Sequence, residues 1–96
     1  MGEKQVDIIK MAKAGSLESN DILIMISKGE GNINIELESV VIQQYGEDIK
    51  NLIYKTLVEE GVHDAKVIAQ DKGALDFTIK ARVKASVRRG SEENGL

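Results

Sequence analysis

Apolar and polar positions divide the chain into a few short segments. Asp21–Lys28 (DILIMISK) is a compact run of β-branched and apolar residues, as expected of a buried strand. Ile33, Ile35 and Leu37 then alternate with Asn34, Glu36 and Glu38, which marks a strand with one buried face. Gly29-Glu30-Gly31-Asn32 separates the two runs, so they are expected to pair as a hairpin. From Val41 to Glu60 the spacing becomes helical, with Ile42, Tyr45, Ile49, Leu52, Ile53 and Leu57 on one stripe. Ser39 suits the N-cap, and Gly61 suits the left-handed position just past the helix end. Gly46 weakens the helix interior by about 1 kcal/mol relative to alanine, so a bend or a later start is expected there.

His63–Gln70, centred on Lys66–Ala69, predicts a third strand, and Asp71–Ala74 a turn. Leu75, Phe77, Ile79, Ala81, Val83, Ala85 and Val87 alternate without a break with polar residues. That pattern predicts a long half-buried strand, although Ala81–Arg89 could also coil. The expected architecture is an α+β fold in the order β-β-α-β-β. A small antiparallel sheet carries one main helix on one face, and the chain is not a helical bundle. Residues 1–13 stay unassigned: Val6, Ile8, Ile9 and Met11 fit either a short strand or one helical turn. Residues 90–96 read as a disordered tail.

At 96 residues the chain is long enough for one domain only. Aromatics are 3% of the composition, so the core must be aliphatic. With no Cys and one His, disulfides, thiolate metal sites, a cysteine nucleophile and multi-histidine metal centres are excluded by count. No apolar run approaches the roughly 20 residues that span a bilayer. The N-terminus has no apolar core of a secretory signal, so the expected compartment is the cytoplasm. The net charge is −3. Residues 1–79 hold eight basic against fourteen acidic side chains, and residues 80–96 five against two. An acidic chain is poorly suited to a phosphate backbone. The segment Lys80, Arg82, Lys84, Arg88 and Arg89 leaves a local anion or partner contact open, against the plainer reading of a solvated face.

Most candidate chemistry dissolves on inspection. His63 beside Asp64 lacks a Ser or Cys partner and a second ligand, and reads as a surface histidine. Glu47-Asp48 and Glu59-Glu60 read as solvated helix faces. Gly29-x-Gly31 lacks the third glycine and following helix of a dinucleotide site, and reads as a turn. Tyr45 and Tyr54 fit the edge of the helix stripe. Residues 14–21 differ: Ser16 and Ser19 lie in a small, polar loop with Gly15, Asn20 and Asp21. No base is near either serine in sequence, so neither is a self-activated nucleophile. An exposed serine in such a loop does suit modification by another enzyme.

Here a resemblance adds to the residues. Ala14-Gly15-Ser16-Leu17-Glu18-Ser19-Asn20-Asp21 resembles the modification loop of the acyl carrier (gamma) subunits of citrate lyase. The likeness continues through Gln44-Tyr45-Gly46-Glu47-Asp48-Ile49 and Asp71-Lys72-Gly73-Ala74-Leu75-Asp76, then Lys80-Ala81-Arg82, and covers residues 12–89. It implies that Ser19, in the Leu-Glu-Ser-x-Asp stretch, carries 2'-(5''-phosphoribosyl)-3'-dephospho-CoA through a phosphodiester, with Ser16 as second choice. The Gly15-Ser16-Leu17 triplet echoes the Asp-Ser-Leu site of common acyl carriers. The Gly in place of Asp and the missing four-helix carrier bundle argue against ordinary phosphopantetheine loading.

The resemblance further implies a chain with no catalytic residue and no metal of its own. Its arm holds acetyl and citryl thioesters while an alpha subunit (acyl transferase) and a beta subunit (citryl lyase) convert citrate to acetate and oxaloacetate. A prosthetic-group-attaching enzyme is the third partner; no nucleic acid or membrane is involved. Asp21 is expected to fix the loop for presentation of Ser19 or to be read by the attaching enzyme. Lys80, Arg82 and Lys84, on one strand face, are expected to contact the arm's phosphates or a partner. The alternatives are a non-catalytic binding module that uses the basic C-terminal strand on RNA or an acidic protein, and the related carrier subunit of malonate decarboxylase.

Overall fold

A computed structural model describes residues 4–92. The elements run β1 (Ala12–Gly15), β2 (Ile22–Ser27), β3 (Ile33–Ser39), α1 (Ile42–Glu59), β4 (Ala65–Asp71) and α2 (Asp76–Ser91). Four strands form one mixed sheet in the order β1-β2-β4-β3, so the fold is α+β and not a helical bundle. Alternation in β2 turns Ile22, Ile24 and Ile26 into the core, where all three are fully buried. Ala65, Val67 and Ala69 of β4 lie on the same face, with Ile24 opposite Ala69 and Ile26 opposite Val67. Ile49, Ile53 and Leu57 of α1, and Ile79, Val83 and Val87 of α2, complete one cluster with these strands. The core is aliphatic throughout: Tyr45, Tyr54 and Phe77 are all more than half exposed.

Three features of the expected architecture are corrected. The hairpin between β2 and β3 does not form, because β4 lies between them. β4 pairs antiparallel with β2 and parallel with β3, so the sheet is mixed rather than antiparallel. The sequence between β2 and β3 fits a hairpin turn, but β4 has three fully buried inward residues and takes the central place. The inward residues of β3 (Ile33, Ile35, Leu37) are only half-buried, as befits an edge strand. The Gly29–Asn32 loop is fastened to the start of β4 instead. The Gly31 amide donates to Asp64 Oδ1 at 2.9 Å and the Ala65 amide to the Asn32 carbonyl at 3.1 Å. The parallel pair then needs a crossover, which α1 supplies.

The second correction is the long C-terminal strand, which is the helix α2, so the fold has two helices rather than one. Ile79, Val83 and Val87 are spaced by four, which satisfies a period of two and nearly satisfies 3.6. Ser86 and Gly90 join them on the buried stripe, while Leu75 and Phe77, inward in the strand reading, are 61% and 71% exposed. The Ala-, Lys- and Arg-rich intervening positions favour helix. The last correction concerns the start of α1. Its N-cap is Val41, without a side-chain cap, and the Ser39 hydroxyl accepts from the Val41 amide at 3.0 Å from outside the helix. Gly61 ends α1 with φ +88°, as expected of the position after a helix.

Residues 6–10 are fastened by backbone bonds. The Val6 amide donates to the Gly61 carbonyl, and the Ile9 and Lys10 amides to that of Gly90. Ile8 is buried in the core. Gly90 and Ser91 close α2; residues 93–96 of the expected tail lie outside the described residues.

Candidate functional site

β1 takes two residues from the expected loop 14–21: Ala14 and Gly15 pair with Ile24 and Leu23, so the loop proper is Ser16–Asp21. Gly15 starts the turn at φ +94°, with its α-carbon facing the carbonyl of Ile22, where a β-carbon would collide. Only glycine fits that position.

Asp21 holds the far side of the loop. Its Oδ1 accepts from the Ile22 amide at 2.7 Å and from Arg82 Nε at 3.0 Å. Its Oδ2 accepts from Arg82 Nη2 at 3.1 Å and from the Ser16 hydroxyl at 2.7 Å. The Ser16 oxygen in turn accepts from the Glu18 amide at 3.2 Å. The Arg82 hydrogen bonds, opposed by desolvation and helped by Ser16 and the Ile22 amide, hold the Asp21 carboxyl down to about 2. The same pairing pushes the Arg82 guanidinium up. A carboxylate that weakly basic cannot serve as a general base for Ser16 at neutral pH. The cluster shapes the loop, with both Asp21 oxygens engaged by Arg82, Ser16 and the Ile22 amide.

Ser19 sits at the exposed tip, and its hydroxyl makes no hydrogen bond among the described residues. Asn20 follows with φ 69°, a left-handed conformation that asparagine tolerates better than most residues. The loop is tied from below to the β4–α2 turn. The Asn20 amide donates to the Lys72 carbonyl and the Lys72 amide to the Asp21 carbonyl, each at 2.8 Å. That turn is itself pinned by Asp71, a buried carboxylate. Asp71 Oδ1 accepts from the Ala74 amide at 2.9 Å and Oδ2 from the Ser39 hydroxyl at 2.8 Å. Sequence reasoning placed the turn but gave Asp71 no role. The signal was an aspartate at the head of Asp-Lys-Gly, where its side chain can bond backbone amides ahead of it.

The structure thus brings Ser16, Asp21 and Arg82 together and leaves Ser19 free. It does not bring Lys80, Arg82 and Lys84 onto one basic face. On a helix, Lys80 and Lys84 stand four apart and exposed, while Arg82 turns to the loop and its charge is committed to Asp21. His63 is exposed, and the carboxylate of its neighbour Asp64 serves the Gly31 amide. Among the described residues, no group of three or more His, Asp or Glu side chains could hold a metal ion, and no helix is long and apolar enough to cross a membrane.

Comparison with known proteins decides the family. The profile of the family described as "Malonate decarboxylase delta subunit (MdcD)" matches residues 9–90. A citrate lyase acyl carrier protein of Lactobacillus helveticus is 52% identical over 87 residues, 91% of this chain and 90% of its own length. The Escherichia fergusonii protein of that name is 45% identical over 92 residues, 95% of either chain. The chain belongs to the citrate lyase acyl carrier protein family. A third member, from Pectobacterium atrosepticum, is 40% identical over 88% of either chain. The fold of this family extends further than its sequence. A chain of the Pseudomonas malonate decarboxylase hetero-tetramer crystallised with malonate has a TM-score of 0.71 at 14% identity, over 92% of this chain and 91% of that one.

Proposed function

We propose that this chain is the cytoplasmic acyl carrier subunit of a citrate lyase complex, with 2'-(5''-phosphoribosyl)-3'-dephospho-CoA joined by a phosphodiester to Ser19. Family membership supports the carrier role. The observation that carries the choice of residue is the contrast between two hydroxyls. Ser16 donates to Asp21 and accepts from the Glu18 amide, whereas Ser19 is exposed at the loop tip with its hydroxyl unengaged. An attaching enzyme must seat the reacting oxygen in its own active site, and only Ser19 can be seated without breaking the loop.

The residues fit such a group. The loop offers one accessible oxygen on a braced platform, with Asp21 as the brace and Arg82 as its anchor. When bound, the group supplies a thiol on a long tether, which carries acyl groups between partners while citrate is cleaved to acetate and oxaloacetate. The chain's own residues then do the positioning. The backbone bonds between the loop and the β4–α2 turn fix the root of the tether, so the delivered group stays at high effective concentration. Among the described residues no group of three or more His, Asp or Glu side chains could hold a metal ion. On this reading the chemistry belongs to an alpha acyl transferase and a beta citryl lyase, and loading to a separate attaching enzyme.

Intact-mass measurement of the chain, made together with the attaching enzymes, tests this reading. The wild type and Ser16→Ala should gain the mass of the arm, mapped to Ser19, and Ser19→Ala should gain nothing. Loading of Ser19→Ala, or unchanged citrate cleavage by a complex rebuilt with it, would overturn the assignment.

A further inference from the structure

A groove of about 400 Å³ opens between the start of α1, the Asp71–Ala74 turn and the start of α2. That is within the size range of small-molecule sites. Its apolar floor is Val41, Ile49, Leu52 and Ile79, and the half-exposed ring of Tyr45 lines it as well. It adjoins the modification loop: Gly73 is a lining residue, and a β-carbon there would stand 3.6 Å from Asn20 Oδ1, one residue from Ser19. The charged side chains that line it are all acidic, Asp48, Asp71 and Asp76. Asp71 is spent on Ser39 and Ala74, while Asp48 and Asp76 are exposed.

We infer that this groove seats the adenine base of the arm carried on Ser19, an inference that rests on the proposed function. The connectivity of the group puts the adenosine between the serine and the pyrophosphate, so the base lies in the part of the arm nearest the attachment point. The lining suits it. A neutral aromatic base can lie on the aliphatic floor, stack against Tyr45 and donate its exocyclic amine to Asp48 or Asp76. The same carboxylates repel the pyrophosphate, which stays in solvent with the thiol end beyond it. Seating the base would shorten the free part of the tether and aim it, leaving the thiol mobile.

The test uses the full chain, isotope-labelled, in loaded and bare forms, with loading at Ser19 checked by intact mass and peptide mapping. Loading should move the amide resonances of Tyr45, Ile49 and Leu52, across the groove from the loop, and give contacts between adenine protons and the Ile49 and Leu52 methyls. Tyr45→Ala and Asp48→Lys, both at exposed positions, should each weaken those contacts at least several-fold and leave the mass gain at Ser19 unchanged. A loaded wild type whose shifts are confined to residues 16–21 and 72–74 overturns the groove and leaves the carrier reading intact, as do contacts unaltered in both variants. A wild type that gains no mass overturns the carrier reading and the groove with it.

Discussion

Arg82 on α2 grips Asp21 at the mouth of β2 through two parallel bonds, Nε to Oδ1 at 3.0 Å and Nη2 to Oδ2 at 3.1 Å. The pair joins residues 61 apart in sequence and sets the shape of the loop that presents Ser19. Arg82→Ala should slow loading of Ser19 several-fold in a mass-based time course. It should lower stability by about 1 kcal/mol, since the guanidinium is 40% exposed and solvent screens it. Arg82→Lys should recover little of the loading rate, because an ammonium cannot reproduce the planar fork. Equal loading rates in all three chains would dissociate the ion pair from presentation.

Acid should act on the same pair. The folded Asp21 value, about 2, lies below the ordinary 3.8. Its contribution to stability is therefore complete above the ordinary value and disappears as pH falls through about 2. A carbon-detected titration of the Asp21 carboxyl should show a midpoint near 2 in the wild type and one shifted toward the ordinary value in Arg82→Ala. A wild-type midpoint near 4 would mean that the fork is not formed in solution.

Gly15→Ala should be among the most damaging single-methyl additions. The residue sits at φ +94° and its new β-carbon would meet the Ile22 carbonyl, which belongs to backbone that cannot swing away. We expect a loss of more than about 2 kcal/mol in denaturant unfolding, by strain and collision together. A change below about 0.5 kcal/mol, the scatter of surface substitutions, would show that the turn relaxes freely.

Asp71→Ala should lower stability by about 2 kcal/mol, because it strands the Ala74 amide in a part-buried turn and releases Ser39 from its partner. The effect should spread to the serine loop, which hangs from Lys72 by two backbone bonds. Hydrogen exchange of the Asn20 and Lys72 amides reads it directly: both should exchange faster than in the wild type. Unchanged protection would confine Asp71 to a local role.

Much of this was legible in the residues. The isoleucine run of β2, the alternation of β3, the α1 stripe from Ile49 to Leu57 and the Gly61 stop follow from local periodicity and backbone preference and stand in the structure, whereas Ile42 and Tyr45 at the head of the expected stripe are exposed. The loop with Ser16, Ser19 and Asp21 was legible too, as a small polar interval between apolar runs. Local pattern could not decide which strands become neighbours. A four-residue turn permits a hairpin, but inserting β4 between β2 and β3 buries Ala65, Val67 and Ala69 and satisfies both of its edges. Nor could it decide α2, because side chains spaced by four fit a strand face and a helix stripe alike. With both edges of β4 taken, a helix over the sheet buries Ile79, Val83 and Val87. That choice carried Arg82 away from Lys80 and Lys84 and onto Asp21. The partner of the loop's aspartate was therefore fixed by packing at long range, where the sequence holds no local signal.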